Sequence, residues 1–316
     1  MTSFSSGERH RLRQGLAFLS PWIVGFLTFL LIPVGLSFYF SFCDYSLLQP
    51  PAFIGLANYR ELMTDPVFWQ SLRNTLTYAA MALPAGLMVS LGLALLLNQK
   101  VAGQSIFRTV VFLPSLVPTV ASAMLWLWLF NTKLGLINTM LETPPFAALI
   151  RGLNAVLGVL HLPGVQPPIG WLTDPAFALP ALAFMSVWGV GQTVVIYLAG
   201  LQDVPKELLE ASELDGANAG QRLWNVTLPM LSPVIFFNLI MAIIGSLQEF
   251  SGPYIMTGGG PARATYFFTM YLYDNAFTYL KMGYASAMAW IQLLLILALT
   301  AIAFRTSKHW VHYQTK

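Results

Sequence analysis

The chain has 316 residues, of which 56% are hydrophobic and only 9% charged, with a formal net charge of +3. Soluble domains carry roughly 25% charged residues; a water-solvated globule of this composition would expose large apolar patches, and disorder, which needs low hydrophobicity, is excluded as well. The solvent that suits such a chain is lipid.

In chain order, seven runs of at least 22 residues lack Asp, Glu, Lys and Arg: 14–43, 74–99, 109–132, 152–173, 175–202, 223–248 and 282–304. A helix crossing the hydrocarbon core needs about 20 mostly apolar residues. The first run follows Arg9, Arg11 and Arg13, as in a signal peptide, but it extends for about 25 residues. A signal core has only 7–15, so this run reads as a retained first span. The run 152–173 holds Pro163, Pro167, Pro168 and four Gly, which break a helix interior, and it reads as a re-entrant or surface loop. Six spans are expected, approximately 16–40, 74–97, 108–130, 177–200, 230–256 and 283–304. Their hydrophobicity is continuous rather than alternating, which favours helices over a barrel. The expected fold is all-α, one polytopic domain at 16–304, with a 1–15 segment before it and a 305–316 tail after it. Pro33, Pro84, Gly86, Pro114, Pro118, Gly189, Gly191 and Gly245 fall inside spans, where neighbouring helices can tolerate them.

With six spans both termini share a side. That side carries ten Lys/Arg, the other six, a bias that points to cytoplasmic termini. The net charge is therefore topological and is no sign of nucleic-acid binding. Two long segments, 41–72 and 131–176, fall outside; their aromatic residues (Tyr45, Phe53, Tyr59, Trp69) suit ordered caps at the membrane surface, and an external partner could dock there. The single Cys43 excludes an intrachain disulfide and a thiolate metal cluster. His10, His161, His309 and His312 lie in termini or a loop, so no metal site is expected.

Seven of the 29 charges lie in 203–222: Asp203, Lys206, Glu207, Glu210, Glu213, Asp215 and Arg222. As a helix, this segment puts Asp203, Glu207, Glu210 and Glu213 on one face and Val204, Leu208 and Ala211 on another. Pro205 suits the first turn and Gly216 a left-handed helix end. A second short helix, Asn218 to Val226, is expected before Pro229. The object is a helix–turn–helix elbow on the cytoplasmic side, within a loop bounded at 201–229. On composition alone it could be a plain solvated surface helix.

The string Glu210-Ala211-Ser212-Glu213-Leu214-Asp215-Gly216-Ala217, followed by Leu228-Pro229, resembles the "EAA" loop of permease subunits of binding-protein-dependent ABC importers. Ser212 replaces the third residue of the family pattern, Leu223 takes the usual aromatic position beside Trp224, and Val226 replaces Ile. A second string, Tyr254 to Pro261 with Ala264-Thr265, Tyr273, Ala276-Phe277 and Gly283 to Ala287, is similar to the first of the two permeases of maltose and glycerol-3-phosphate type carbohydrate importers. With Asn58-Tyr59 and Gly135 to Asn138, the likeness covers nearly the whole chain, except that the insertion around 140–168 is longer than usual.

The resemblance implies a type I ABC importer permease fold in a bacterial or archaeal inner membrane. It implies a chain that hydrolyses nothing itself, with ATP and Mg held by two separate cytoplasmic ATPase subunits. It also implies a second permease in a heterodimer, an external solute-binding protein, and a sugar or polyol as cargo. Glu210, Ala211, Asp215, Gly216, Ala217, Leu223 and Pro229 would couple the permease to the ATPase. Polar groups inside spans are costly in lipid and mark a path; the candidates are Trp188, Gln192 and Thr193 in the fourth span, and Asn238, Ser246, Gln248, Glu249 and Tyr254 in or beside the fifth. Each could instead bond between helices. Gly258-Gly259-Gly260 lacks the Gly-Lys-Ser/Thr of a phosphate loop and reads either as adaptable backbone beside the path or as a plain turn. A rival reading, an ion-coupled secondary transporter of a small polar solute, expects several intramembrane carboxylates and an inverted repeat; Glu249 is the single carboxylate and no repeat is visible. An intramembrane enzyme would need a nucleophile–base pair, and none stands out.

Overall fold

The computed structural model describes residues 6–99, 101–159 and 166–312. His161 and Pro163, Lys100 and the extreme termini lie outside the described residues. The chain divides into two compact units, Met1–Asp65 with Leu272–Leu293, and Pro66–Tyr271 with Leu294–Lys316.

In the first unit, α1 (Ser6–Phe26) passes through a π turn at Leu27–Leu31 into α2 (Ile32–Phe40). Together they give an apolar span, Gln14–Phe40, none of whose most apolar window is buried by the rest of the chain. A two-residue ladder pairs β1 (Cys43–Asp44) with β2 (Ala52–Phe53), antiparallel, and α3 (Ala57–Thr64) follows. Asn58 explains why this cap is ordered: its Nδ2 donates to the Ser41 and Cys43 carbonyls at 2.9 Å each, while the Tyr59 hydroxyl donates to Ser41 Oγ at 2.8 Å. Tyr284 donates to Asp65 Oδ2 at 2.6 Å in the same unit.

The second unit opens with α4 (Pro66–Leu97), a 32-residue helix. It begins eight residues before the expected second span because the charge at Arg73, placed near one end, does not stop a helix. Next come α5 (Gln104–Phe112), a 3₁₀ turn at Leu113–Leu116 and α6 (Thr119–Leu129). The expected third span is thus two pieces bent by 98°. Pro118 is the reason: it forces Val117 out of the helical region, to φ −72°, ψ 128°. The fourth span is likewise bent by 49°, between α9 (Pro175–Trp188) and α10 (Gly191–Gln202). Between α6 and α9 lie α7 (Leu136–Leu141) and α8 (Pro144–Val159). The run 152–173 is therefore not all loop; Pro144 and Pro145 sit in the first turn of α8, where a missing N–H costs nothing, and the helix continues to Val159. Asn138 ties α7 to the segment after it, donating to Ile169 O at 2.9 Å and accepting from Trp171 Nε1 at 3.0 Å.

After the elbow (α11, Lys206–Leu214, and α12, Ala219–Arg222) the chain enters α13 (Leu228–Leu247). The fifth span ends at Leu247, not at 256: Gln248 and Phe250 leave helical geometry (φ −102°, ψ 7° and φ −136°, ψ −53°). The chain restarts as α14 (Ser251–Thr257), with Glu249 Oε1 accepting the Gly252 N–H at 3.0 Å. α15 (Phe268–Tyr273), a π turn at Asp274–Thr278 and α16 (Met282–Ser307) complete the chain. Among the described residues four helices are long and apolar enough to span a membrane, or up to six if each bent pair is one span.

α4 is the centre of the second unit, packed against α9, α10 and α13. Two buried clusters surround it, one including Tyr78, Ala82, Trp126, Ala181 and Phe267, the other Ala94, Val194, Tyr197, Leu198 and Leu231. α10 and α13 approach closely at Gly200, where an added Cβ would meet Val234 Cγ2 at 2.7 Å and Leu231 Cδ1 at 2.8 Å.

Candidate functional site

The elbow forms by local rules. Pro205 precedes α11, and Gly216 takes a left-handed φ of +78° after its last turn. The Gly216 N–H donates to Glu213 O and the Ala217 N–H to Ser212 O, both at 3.0 Å. That pair of bonds is a Schellman closure, which satisfies carbonyls a helix end leaves open. Asn218 then caps α12 reciprocally with Gln221: the Asn218 N–H donates to Gln221 Oε1 at 2.8 Å and the Gln221 N–H to Asn218 Oδ1 at 2.9 Å. An ion pair between Arg222 and Glu213 spans the turn.

The second helix does not stop before Pro229. Arg222, Leu223, Thr227 and Leu228 all keep helical angles, so Ala219–Leu247 is one continuous helix of 29 residues. Pro229 is accommodated by a π turn at Leu223–Thr227, with the Leu228 N–H donating to Leu223 O; widening the turn relieves the clash a proline ring makes inside an α-helix. Around the elbow, Glu210, Ala211, Asp215 and Gly216 are exposed, Ala217 and Leu223 partly so. Leu214 is 89% exposed and Trp224 71%. Val204 is buried, whereas Leu208, expected on the same covered face, is 44% exposed.

A cavity of about 400 Å³ lies among α4, α9, α10 and α13. Gln192, Thr193, Asn238, Ser246 and Glu249, five of the eight expected path residues, line it. Asn238 is 4% exposed, and its Nδ2 is withdrawn from solvent without a well-formed hydrogen bond. Tyr78 and Ser186 also line the cavity. The sequence argument passed over them, although a search for polar groups through the second span and the first half of the fourth would have found both. Trp188, Gln248 and Tyr254 are not part of this wall. Trp188 packs edge-on to Trp126, ring centres 6.1 Å apart. Gln248 is exposed at the end of α13, and Tyr254 stacks on Phe250 at 4.9 Å. The early end of α13 moved these last two residues off the helix face on which they were expected.

The triple glycine is an ordered turn. Gly258 and Gly259 have φ of +56° and +87°, and Thr265, fully buried, donates to Gly260 O at 2.6 Å. Thr257, Gly260 and Pro261 help to line a second cavity of about 470 Å³ with Phe130, Asn131 and Thr173. Among the described residues no cluster of His, Cys, Asp and Glu could hold a metal ion.

Known proteins share this architecture and sequence. The chain is 41% identical over 306 residues to the probable ABC transporter permease protein YesP of Bacillus subtilis (strain 168), covering 96% of this chain and 93% of that one. It is 32% identical to the sulfoquinovosyl glycerol transport system permease protein SmoG of Agrobacterium fabrum, over 91% and 88% of the two chains. Its fold matches a chain of the crystal structure of a bacterial ABC transporter involved in the import of the acidic polysaccharide alginate, with a TM-score of 0.76 at 23% identity, covering 94% and 98%. Residues 67–310 match the family described as binding-protein-dependent transport system inner membrane component. The chain belongs to that family: it is a multi-pass membrane permease, the translocation subunit of an ABC importer.

Proposed function

We propose that this permease carries a sugar or a related polyol through the cavity between α4, α9, α10 and α13, and that the elbow 203–229 transmits the force of a separate ATPase. The continuous helix from Ala219 to Leu247 carries this reading. A rigid helix rises about 1.5 Å per residue, so Asn238 stands roughly 30 Å along the same rod from Ala219. A displacement of the elbow therefore moves one wall of the cavity without a hinge between them. Partner-driven switching between two arrangements is rigid-body alternating access.

The surface of the elbow supports docking: exposed acids at Glu210 and Asp215 surround uncovered Leu214 and Trp224, an apolar anchor with a charged rim of the kind protein interfaces use. The cargo class follows from kinship with the sulfoquinovosyl glycerol permease and from a wall of amide, hydroxyl, carboxyl and phenol groups. The wider assembly comprises a second permease, two cytoplasmic ATPases that hold ATP and Mg, and an external binding protein. The exposed apolar face of Gln14–Phe40 suits lipid and the sibling permease. Both termini and the elbow lie in the cytoplasm.

The test is uptake by the assembled importer in proteoliposomes with its binding protein and a radiolabelled sugar that this protein binds. Uptake should need internal ATP and stop with vanadate. Gly216→Pro should abolish uptake while the chain still inserts and assembles; unchanged uptake would remove the coupling role.

A further inference from the structure

A third cavity, of about 270 Å³, lies between α5, α10 and the end of α4, apart from the cavity proposed for cargo. Val111, Phe112, Val194 and Leu198 make it apolar, and Arg108 and Gln202 supply its polar groups. Its floor exists because Gly191 lets α10 close on α5: an added Cβ there would meet Val111 O at 2.8 Å and Phe112 Cα at 2.9 Å.

Among the described residues Arg108 has no charge partner. Among the described residues the ion pairs are Arg222 with Glu213 and Lys281 with Glu61. Its Nη2 donates to Leu97 O at a long 3.3 Å, but that carbonyl already accepts from Gln104 Nε2 at 2.7 Å. Its Nε is withdrawn from solvent without any acceptor. Capping Leu97 O therefore occupies Nη2 and leaves Nε without an acceptor. A guanidinium is suited to a bidentate anion, and a withdrawn donor left unpaired is costly. On the outer side of α5, Ile106, Phe107, Val110 and Leu113 are 54–67% exposed, an apolar stripe fit for the acyl region. The occupant must then be anionic at one end and hydrocarbon at the other.

We propose that this cavity binds an anionic phospholipid, its phosphate on Arg108 and Gln202 and an acyl chain along Val111, Val194 and Leu198. Basic pockets between membrane helices hold such headgroups. Gln202 is the last residue of α10, directly before the elbow, so the lipid would sit where the fourth span meets the coupling loop.

The experiment uses the whole purified importer. Native mass spectrometry and thermal unfolding are followed on adding phosphatidylglycerol, phosphatidylcholine or inorganic phosphate. Phosphatidylglycerol should stay bound and raise the unfolding temperature; the other two should not. Arg108→Ala and the cavity-filling Ala199→Phe should each weaken retention about tenfold, while Arg108→Lys keeps part of it. Equal retention of the two lipids, stabilisation by phosphate alone, a cavity occupied by another subunit, or retention unchanged in both weakening variants would each overturn the proposal. Should one of these variants fail to assemble, the other and Arg108→Lys still decide it.

Discussion

The elbow and the cavity among α4, α9, α10 and α13 share the helix Ala219–Leu247 and are built on opposite terms. The elbow closes its bonds over short distances in sequence: Gly216 to Glu213, Ala217 to Ser212, Asn218 to Gln221, Arg222 to Glu213. Most of its α11 and turn residues are exposed, so packing contributes less to its shape than these local bonds do. The cavity gathers Tyr78, Ser186, Gln192 and Asn238 from four helices, and none of its walls exists until α9, α10 and α13 pack on α4. The part proposed to be gripped by a partner carries its own shape; the part proposed to open and close borrows its shape from neighbours.

The comparison breaks most sharply at Gly216. Gly216→Pro cannot reach a φ of +78° and should lower vanadate-sensitive uptake at least a hundredfold. Gly216→Ala meets no atom within 4 Å, so it bears only the left-handed penalty of about 1–2 kcal/mol and should retain measurable uptake. A smaller effect is expected from Ala242→Trp, which fills the cavity: uptake should fall about tenfold or more while basal ATP hydrolysis by the complex persists. If hydrolysis falls equally, the cavity and the elbow are not separable as argued. Gly200→Val forces α10 from α13 against Val234 and Leu231. Overpacking of this kind costs about 1–3 kcal/mol, and thermal unfolding of the purified complex should report it before transport does. Smallest is Arg222→Ala, which removes an ion pair whose glutamate side chain is 59% exposed. Exposed pairs contribute about 0–1 kcal/mol, so uptake should drop by no more than a few-fold; a complete loss would assign Arg222 a direct contact with the partner.

Much of the elbow was legible because its signals are local: Pro205 before a helix and Gly216 after it. The run-on at Pro229 was not, because a π turn is one of several ways a chain can absorb a proline. Gln192, Asn238, Ser246 and Glu249 stood out as polar groups in apolar runs, and the fold brings them together. Trp188, Gln248 and Tyr254 met the same criterion and were separated from them, two by a helix that ends nine residues early and one by an aromatic cluster.

The sequence by itself determined the solvent, the number of apolar segments, the elbow and the family, since each depends on composition or on spacings of a few residues. Only the tertiary structure decided where the spans bend, that 144–159 is a helix, which polar residues share a wall, and that Arg108 lines an apolar cavity with no countercharge among the described residues. Those outcomes depend on residues far apart in the chain coming together, Arg108 and Leu198 around one cavity and Tyr78 and Glu249 around another, which happens only once the helices have packed.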